Sequence, residues 1–327
     1  MILTVASGKG GTGKTTIAAS LAVAIADEFP LYLDCDVEAP NAHIFLSPEF
    51  TQTQRVNQLV PSIDETRCDG CGRCAEVCQY HAIVVLGDKV LVFPELCHGC
   101  GSCTLQCPQR AIEEVPNVLG LLEAGTAREG IRFARGVLEI GQPMAVPIIR
   151  ALKRWGPFGD IDTVIRDAPP GVSCPVVETM SGADFVLLVT EPTPFGLHDL
   201  HLAVQLAGEL GLPVGVAVNR EGIGDGRVDE YCRSVDIPVL LRIPFSERIG
   251  RALARGENLV ERKWWKQVDR DCRRRCGRRE PGIDPVTQVH AARGLLEWQN
   301  RRDRPGTVRV VRGMCASVPL RCNKRSE

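Results

Sequence analysis

Aromatic side chains are scarce in this chain: four Trp, three Tyr and nine Phe make up 5% of its 327 residues. Long apolar runs are missing as well, since nothing approaches the roughly 18 to 20 consecutive apolar residues that a bilayer-spanning helix needs, so no such helix is expected. The opening MILTVASGKG does not follow the basic-then-apolar layout of a secretory signal, and a cytoplasmic location is expected. Net charge is nearly absent, at −1. What is present is 44% hydrophobic and 24% charged residues. That composition supports a real core, excludes a fibrous or wholly disordered chain, and at this length suggests about two domains.

The small net charge is a cancellation. Residues 1 to 261 carry 21 Lys and Arg against 33 Asp and Glu, a net of −12, whereas residues 262 to 327 carry 18 against 7, a net of +11. An acidic body is joined to a basic tail.

Cysteine is plentiful, with 15 residues. A disulfide framework belongs to short secreted chains and does not suit this one. Eight of the cysteines form two copies of one spacing: Cys68, Cys71, Cys74 and Cys78 map onto Cys97, Cys100, Cys103 and Cys107 at a constant offset of 29. The same offset carries Gly70 and Gly72 onto Gly99 and Gly101, and Ala82-Ile83 onto Ala111-Ile112, which marks an internal repeat.

Short apolar segments at 2–6, 31–34, 162–167, 185–190, 214–218 and 238–243 read as buried strands. Helix-like stretches follow the first of them and recur at 197–210 and 246–256, and another is expected after Pro143. Strands alternating with helices imply an α/β fold with a doubly wound, mostly parallel sheet. The cysteine repeat interrupts this alternation. The expected organisation is a body at 1–61 and 116–262, a module inserted at 62–115, and a tail at 263–327 with no sustained period, 14 Arg and four Cys. Such an insertion is tolerated when its two ends lie close together at the surface.

Gly8 to Thr15, GKGGTGKT, fits the phosphate-binding pattern GxxxxGK[ST] between a strand and a helix. Backbone N–H groups of Gly8, Gly10, Gly11, Thr12 and Gly13 can close around phosphates, Lys14 can reach the β and γ oxygens, and the Thr15 hydroxyl, followed by Thr16, can ligate Mg²⁺. The second motif, CxxCxxCxxxC, is the bacterial ferredoxin run, in which the fourth cysteine ligates the other cluster. One 4Fe-4S cluster would take Cys68, Cys71, Cys74 and Cys107, and the other Cys97, Cys100, Cys103 and Cys78. Zinc is the alternative occupant, disfavoured by the crossed fourth ligand and the duplicated half. Pro108 follows Cys107, whereas Gln79 follows Cys78. His98, inside the second run, is expected at the surface, and Cys35, Cys174 and Cys232 are expected to be small buried residues.

Lys9 before the paired glycines makes KGGTGKTT resemble the deviant Walker A loop of the MinD, ParA and Mrp ATPases. The resemblance implies an ATP-dependent homodimer in which Lys9 reaches the partner's phosphates; otherwise Lys9 is a solvated charge. It also implies that Asp36, in LYLDCDVEAPN, orients the attacking water, and that Asp167, in VIRDAPPG, is the Walker B carboxylate for Mg²⁺ with Gly171 near the γ-phosphate. Read without the resemblance, Asp34, Asp36 and Asp167 are strand-end caps. Asn219 and Arg220 match base-recognition positions, and Pro244 with Phe245 matches the loop closing over the base, although a strand-end Asn is also a common turn residue.

From Met1 to about Gln267 the chain resembles MinD-superfamily P-loop ATPases carrying an inserted α+β ferredoxin domain, a group that shares the CobQ/CobB/MinD/ParA label. No glutaminase constellation accompanies it. The implied function is an ATP-hydrolysing switch coupled to electron transfer or to a redox partner. A second reading is an iron-sulfur assembly ATPase that serves an acceptor protein. A third is a positioning ATPase of the ParA or MinD sort, which would use the basic tail on nucleic acid or an anionic membrane. That tail is otherwise read as a disordered or artefactual extension. It lacks both a membrane-targeting apolar stripe and a carrier-type CxxC, since three residues separate Cys272 from Cys276.

Overall fold

The computed structural model describes residues 1–259 apart from Asp88 and Asp160. The expectations placed on the tail at 263–327 lie outside the described residues. The chain begins with β1 (Ile2–Ala6), α1 (Lys14–Ala24), β2 (Leu31–Asp34), α2 (His43–Leu46) and β3 (Glu49–Ile63). The cysteine region contributes α3 (Arg73–Glu76), β4 (Ile83–Leu86), β5 (Lys89–Val92) and α4 (Ser102–Gln106). Then follow β6 (Ile112–Thr126), β7 (Arg132–Leu138), α5 (Val146–Arg154), β8 (Val164–Asp167), α6 (Cys174–Met180) and β9 (Phe185–Thr190). The described part closes with α7 (Pro194–Glu209), β10 (Val214–Glu221), α8 (Arg227–Ser234), β11 (Val239–Pro244) and α9 (Glu247–Leu253).

Nine strands form one sheet in the order β11-β10-β9-β1-β8-β2-β7-β6-β3. The seven from β11 to β7 are mutually parallel, while β6 runs antiparallel to both β7 and β3. The parallel strands are short and apolar on both faces because helices cover both sides. Side-chain alternation makes the division visible in β9: Leu187 and Val189 pack with Ile17, Leu21 and Ile249 on one face, and Val186 and Leu188 pack with Met180, Leu200 and Val228 on the other. A third core joins Leu31, Leu33, Leu119 and Leu122 to Ile148, Ile149 and Leu152 of α5.

The β3–β6 pair is the departure from the expected pattern. Its strands have 15 residues each, against 4 to 8 in the parallel part. No strand is expected over 49–63, and Thr51 to Arg55 at its start are polar on both faces. β3 tolerates this as the sheet's outermost strand, where Val56, Val60 and Pro61 are its buried residues. Ladder pairing runs from Glu49↔Thr126 out to Ile63↔Ile112. The cysteine region therefore occupies 64–111, and its ends are held side by side as neighbours in a ladder.

Register fixes where this ribbon points. Asp34 pairs with Arg135, Arg135 with Glu123, and Glu123 with Thr53. From Thr53 the ribbon continues about ten residues to Ile63, roughly 33 Å at the usual rise per residue. It passes beyond the level of Asp34, on the side where the parallel strands end.

Candidate functional site

In an open parallel sheet the ligand crevice lies beyond the carboxyl ends of the strands, where the strand order reverses. Here β1 lies between β8 and β9, and the loop leaving β1 is Ser7 to Gly13. Gly13 and Gly11 take φ of +93° and +76°, values that favour glycine. Gly8 serves a different need: a Cβ there would come within 2.2 Å of the Asp199 carbonyl oxygen on α7. The Ser7 hydroxyl donates to the Lys9 carbonyl at 2.5 Å, and Gly171 N–H donates to the Ser7 carbonyl at 3.0 Å. Gly171, at φ +96°, thus ties the loop after Asp167 to the phosphate loop. Lys14 to Thr16 open α1, so the N–H groups of its first turn face the crevice.

Three carboxylates gather at this edge. Asp34 and Asp167 are paired in register at the ends of β2 and β8 and are buried. Asp34 accepts the Asp36 and Ala42 N–H groups, at 3.2 and 3.1 Å, and so shapes the loop that carries Asp36. Burial pushes the Asp34 carboxyl well above its ordinary range, and the Asp167 charge adds to the effect. Burial likewise pushes Asp167 up to about 6, opposed by the Thr15 hydroxyl and the Lys14 ammonium. The Tyr32 hydroxyl donates to Asp167 Oδ2 at 3.0 Å, while Oδ1 is buried with no hydrogen-bond partner. Asp36 is raised by burial and held down mainly by Lys14. Lys14 is 7% exposed; burial lowers its pKa, and Asp167 and Asp36 partly restore it.

Lys9, Arg220 and Asn219 sit on the opposite flank. Asn219 Nδ2 donates to the Thr12 carbonyl at 2.7 Å and its Oδ1 accepts the Arg220 N–H at 2.9 Å. Both ends of the amide are engaged, so Asn219 braces the phosphate loop. Pro244 ends β11, and Phe245 beyond it is 60% exposed. Glu191 is a residue the sequence reading passes over. Its buried carboxylate approaches Lys9 Nζ at 3.8 Å and Arg220 at 3.4 Å. The available signal is its position: like Asp34 and Asp167, it is an acidic residue at the carboxyl end of a parallel strand.

The eight motif cysteines divide into two cavities. One is lined by Cys68, Cys71, Cys74 and Cys107, the other by Cys78, Cys97, Cys100 and Cys103. All eight are free thiols. Backbone N–H groups point at three of the sulfurs: Ala82 to Cys78 at 3.3 Å, Ala111 to Cys107 at 3.3 Å, and Gly99 to Cys97 at 3.4 Å. Ala82 and Ala111 occupy equivalent positions of the repeat. Among the described residues, no three His, Cys, Asp or Glu side chains converge on a point suited to one metal ion. Cys35 and Cys232 are buried as expected, but Cys174 is exposed at the start of α6, against the expectation. His98 is exposed, and its ring stacks on Tyr80 with centroids 3.6 Å apart.

Residues 3–260 match the family model described as the CobQ/CobB/MinD/ParA nucleotide binding domain. The chain belongs to this family. A protein of Methanocaldococcus jannaschii, MJ0579, is 30% identical over 263 residues, covering 80% of this chain and 92% of its own. Another from the same organism, the ATP-binding protein MJ0169, is 28% identical over 266 residues, covering 80% and 81%. Among solved structures, the cell division ATPase MinD of Pyrococcus furiosus superimposes with a TM-score of 0.51 at 18% identity, covering 90% of this chain and 98% of that one. The septum site-determining protein MinD of Pyrococcus horikoshii, complexed with Mg-ADP, gives 0.51 at 17% identity, covering 92% and 99%. These likenesses establish an α/β fold with a mostly parallel sheet of the MinD/ParA type. Among the described residues no helix is long and apolar enough to cross a membrane.

Proposed function

We propose that this family member is a cytoplasmic, ATP-hydrolysing, homodimeric switch that couples its nucleotide state to two 4Fe-4S clusters held in the module inserted between β3 and β6. The observation that carries this reading is the pair of four-cysteine cavities, borne on a ribbon that rises from the same sheet edge as the phosphate loop. Each cavity collects the crossed ligand set that the ferredoxin spacing requires, with the fourth cysteine coming from the other half of the repeat. Cys68, Cys71, Cys74 and Cys107 would hold one cluster and Cys97, Cys100, Cys103 and Cys78 the other, with the N–H groups of Ala82, Gly99 and Ala111 stabilising thiolate charge. When bound, such clusters supply one-electron transfer.

At the nucleotide edge, Gly8 to Gly13 and the first turn of α1 would bind the phosphates of ATP, as the bound Mg-ADP in the P. horikoshii MinD structure suggests. Mg²⁺ would sit between the Thr15 hydroxyl and Asp167. The unpartnered Oδ1 of Asp167 and its raised pKa are what a buried carboxylate shows when a cation is its intended neighbour. Lys14 would neutralise the β and γ oxygens and Asp36 would orient the attacking water. Lys9, held at 3.8 Å from Glu191 and about one-third exposed, would be available to a second protomer. Asn219 would hold Thr12 in place beneath the phosphates while Arg220 and Pro244 flank the base.

Anaerobic reconstitution followed by iron and acid-labile sulfide analysis tests the cluster reading. About eight of each per chain is expected, and zinc in their place overturns it. A second reading, cluster assembly for an acceptor protein, is favoured by the exposure of Cys71 and Cys100, one ligand in each cavity. It predicts ATP-dependent loss of iron to an apo acceptor, whereas the switch keeps its clusters through turnover.

A further inference from the structure

The two cysteine cavities have pseudo-equivalent mouths that have diverged. The residue after the first cysteine of each run, and the residue two beyond the fourth cysteine of the other run, meet across each opening. At the Cys68 cavity these are Asp69 and Gln109, joined by a 2.9 Å hydrogen bond from the Gln109 amide to the Asp69 carboxylate. At the Cys78 cavity they are His98 and Tyr80, stacked with rings 11° from parallel. The first mouth closes on this polar pair, and Arg73 lines the same cavity beside Ile63, Val90 and Pro108. The second presents exposed large side chains instead: Tyr80 is 43% exposed and Leu59, from β3, is 48% exposed. Glu114 is the one charged carboxylate lining it, and no Lys or Arg accompanies it.

Exposed apolar side chains beside a charged group mark a protein contact, and electron-transfer contacts are small enough to be built on a few such residues. We infer that the Cys78 mouth, formed by Leu59, Tyr80 and His98 beside Glu114, is the docking face for a small one-electron carrier protein whose own contact surface is apolar with a basic rim. The Cys68 mouth does not dock a partner. The inference rests on the cluster reading above. In the exchange one electron leaves the reduced cluster and the carrier's metal gains it, with no bond made and no proton moved. The stacked Tyr80–His98 pair offers a flat contact surface and would cover a cluster held behind it, while Glu114 selects the sign of the partner's charge.

The test uses a c-type cytochrome, a small basic haem carrier, as the probe. Full-length protein is reduced with dithionite, desalted anaerobically and mixed with the oxidised cytochrome, and the second-order rate is followed by stopped flow. Leu59→Gln combined with Tyr80→Gln, the latter being the residue type found at the matching position of the other mouth, should lower the rate at least tenfold. Gln109→Ala at the Cys68 mouth should leave it within twofold, and raising the salt should slow the wild type severalfold. Iron content and the reduced-state EPR spin count are measured on every sample. If the double variant loses iron, Leu59→Thr, a change suited to an exposed strand position, must give the same ordering. Equal slowing at both mouths, or an unchanged rate in the Leu59 and Tyr80 variants, overturns the docking face while leaving the clusters in place. Wild-type protein that takes up no iron overturns both this inference and the reading beneath it.

Discussion

Asp167→Asn should stabilise the magnesium-free protein, against the usual cost of altering a buried polar residue. The Asp167 carboxyl is buried and raised from 3.8 to about 6, so its ionised form is penalised by folding. The sign follows from linkage: the penalty is fully present above pH about 6, shrinks as the folded state takes up its proton, and is gone below the unfolded value near 3.8. At 1.36 kcal/mol per pH unit the full penalty is about 3 kcal/mol, falling to about half of that by pH 5. Asparagine removes the charge and still offers the Tyr32 hydroxyl an acceptor in place of Oδ2. Thermal unfolding in EDTA at pH 8 should therefore place the variant above wild type, by roughly 6 to 12 °C if the whole penalty is recovered. The gap should narrow at pH 5. Mg-ADP should reverse the order, because the cation discharges Asp167 in the wild type and finds no carboxylate in the variant. A variant less stable than wild type at pH 8 without magnesium, or a gap that does not narrow toward pH 5, would refute this account of Asp167.

Asn219→Ala removes the brace on the Thr12 carbonyl and leaves it unsatisfied beside the loop. Nucleotide affinity measured by calorimetry should fall by roughly tenfold, the equivalent of about 1.4 kcal/mol. Gly8→Ala forces a Cβ to within 2.2 Å of the Asp199 carbonyl oxygen; nucleotide binding should be lost along with several degrees of melting temperature, even though both residues are small. Ile148→Ala empties the position that fits against Gly120 and Gly136 at the root of the ribbon, and chemical unfolding should report a loss of about 2 to 5 kcal/mol. Cys78→Ser should remove the Mössbauer and EPR signals of the cluster held by Cys97, Cys100 and Cys103 and spare the one held by its own sequence neighbours. Loss of the neighbours' cluster would contradict the crossed ligand sets.

The parallel half of the sheet was legible because its strands are buried on both faces. LYLD, FVLLVT and VGVAV are apolar runs with no polar alternation to mislead, and each begins where a strand begins. The antiparallel β3 was not legible. Its residues Thr51 to Arg55 are exposed on the sheet's outer edge, and neither periodicity nor composition separates them from a loop. The ladder of β3 and β6 closes at Ile63 and Ile112, within the 62–115 span expected for the module. Residue types that act through the backbone were easier to find: the glycines of the phosphate loop and the aspartates at strand ends stand in one local pattern. Glu191 and the bracing role of Asn219 depend on loops that are distant in sequence, and only the folded arrangement brings them to Lys9 and Thr12. Cys174 departs from its expected burial because the small size of a cysteine says nothing of whether a helix start faces the core or the solvent.

The central claim is that nucleotide state and cluster state are coupled in one molecule. ATP hydrolysis by the fully reconstituted protein, measured anaerobically with the clusters first oxidised and then reduced by dithionite, tests it most directly. The account predicts rates that differ between the two states, with the difference abolished in protein whose cluster cysteines are replaced by serine. Rates that agree within error, with about eight iron per chain present in both samples, would contradict it.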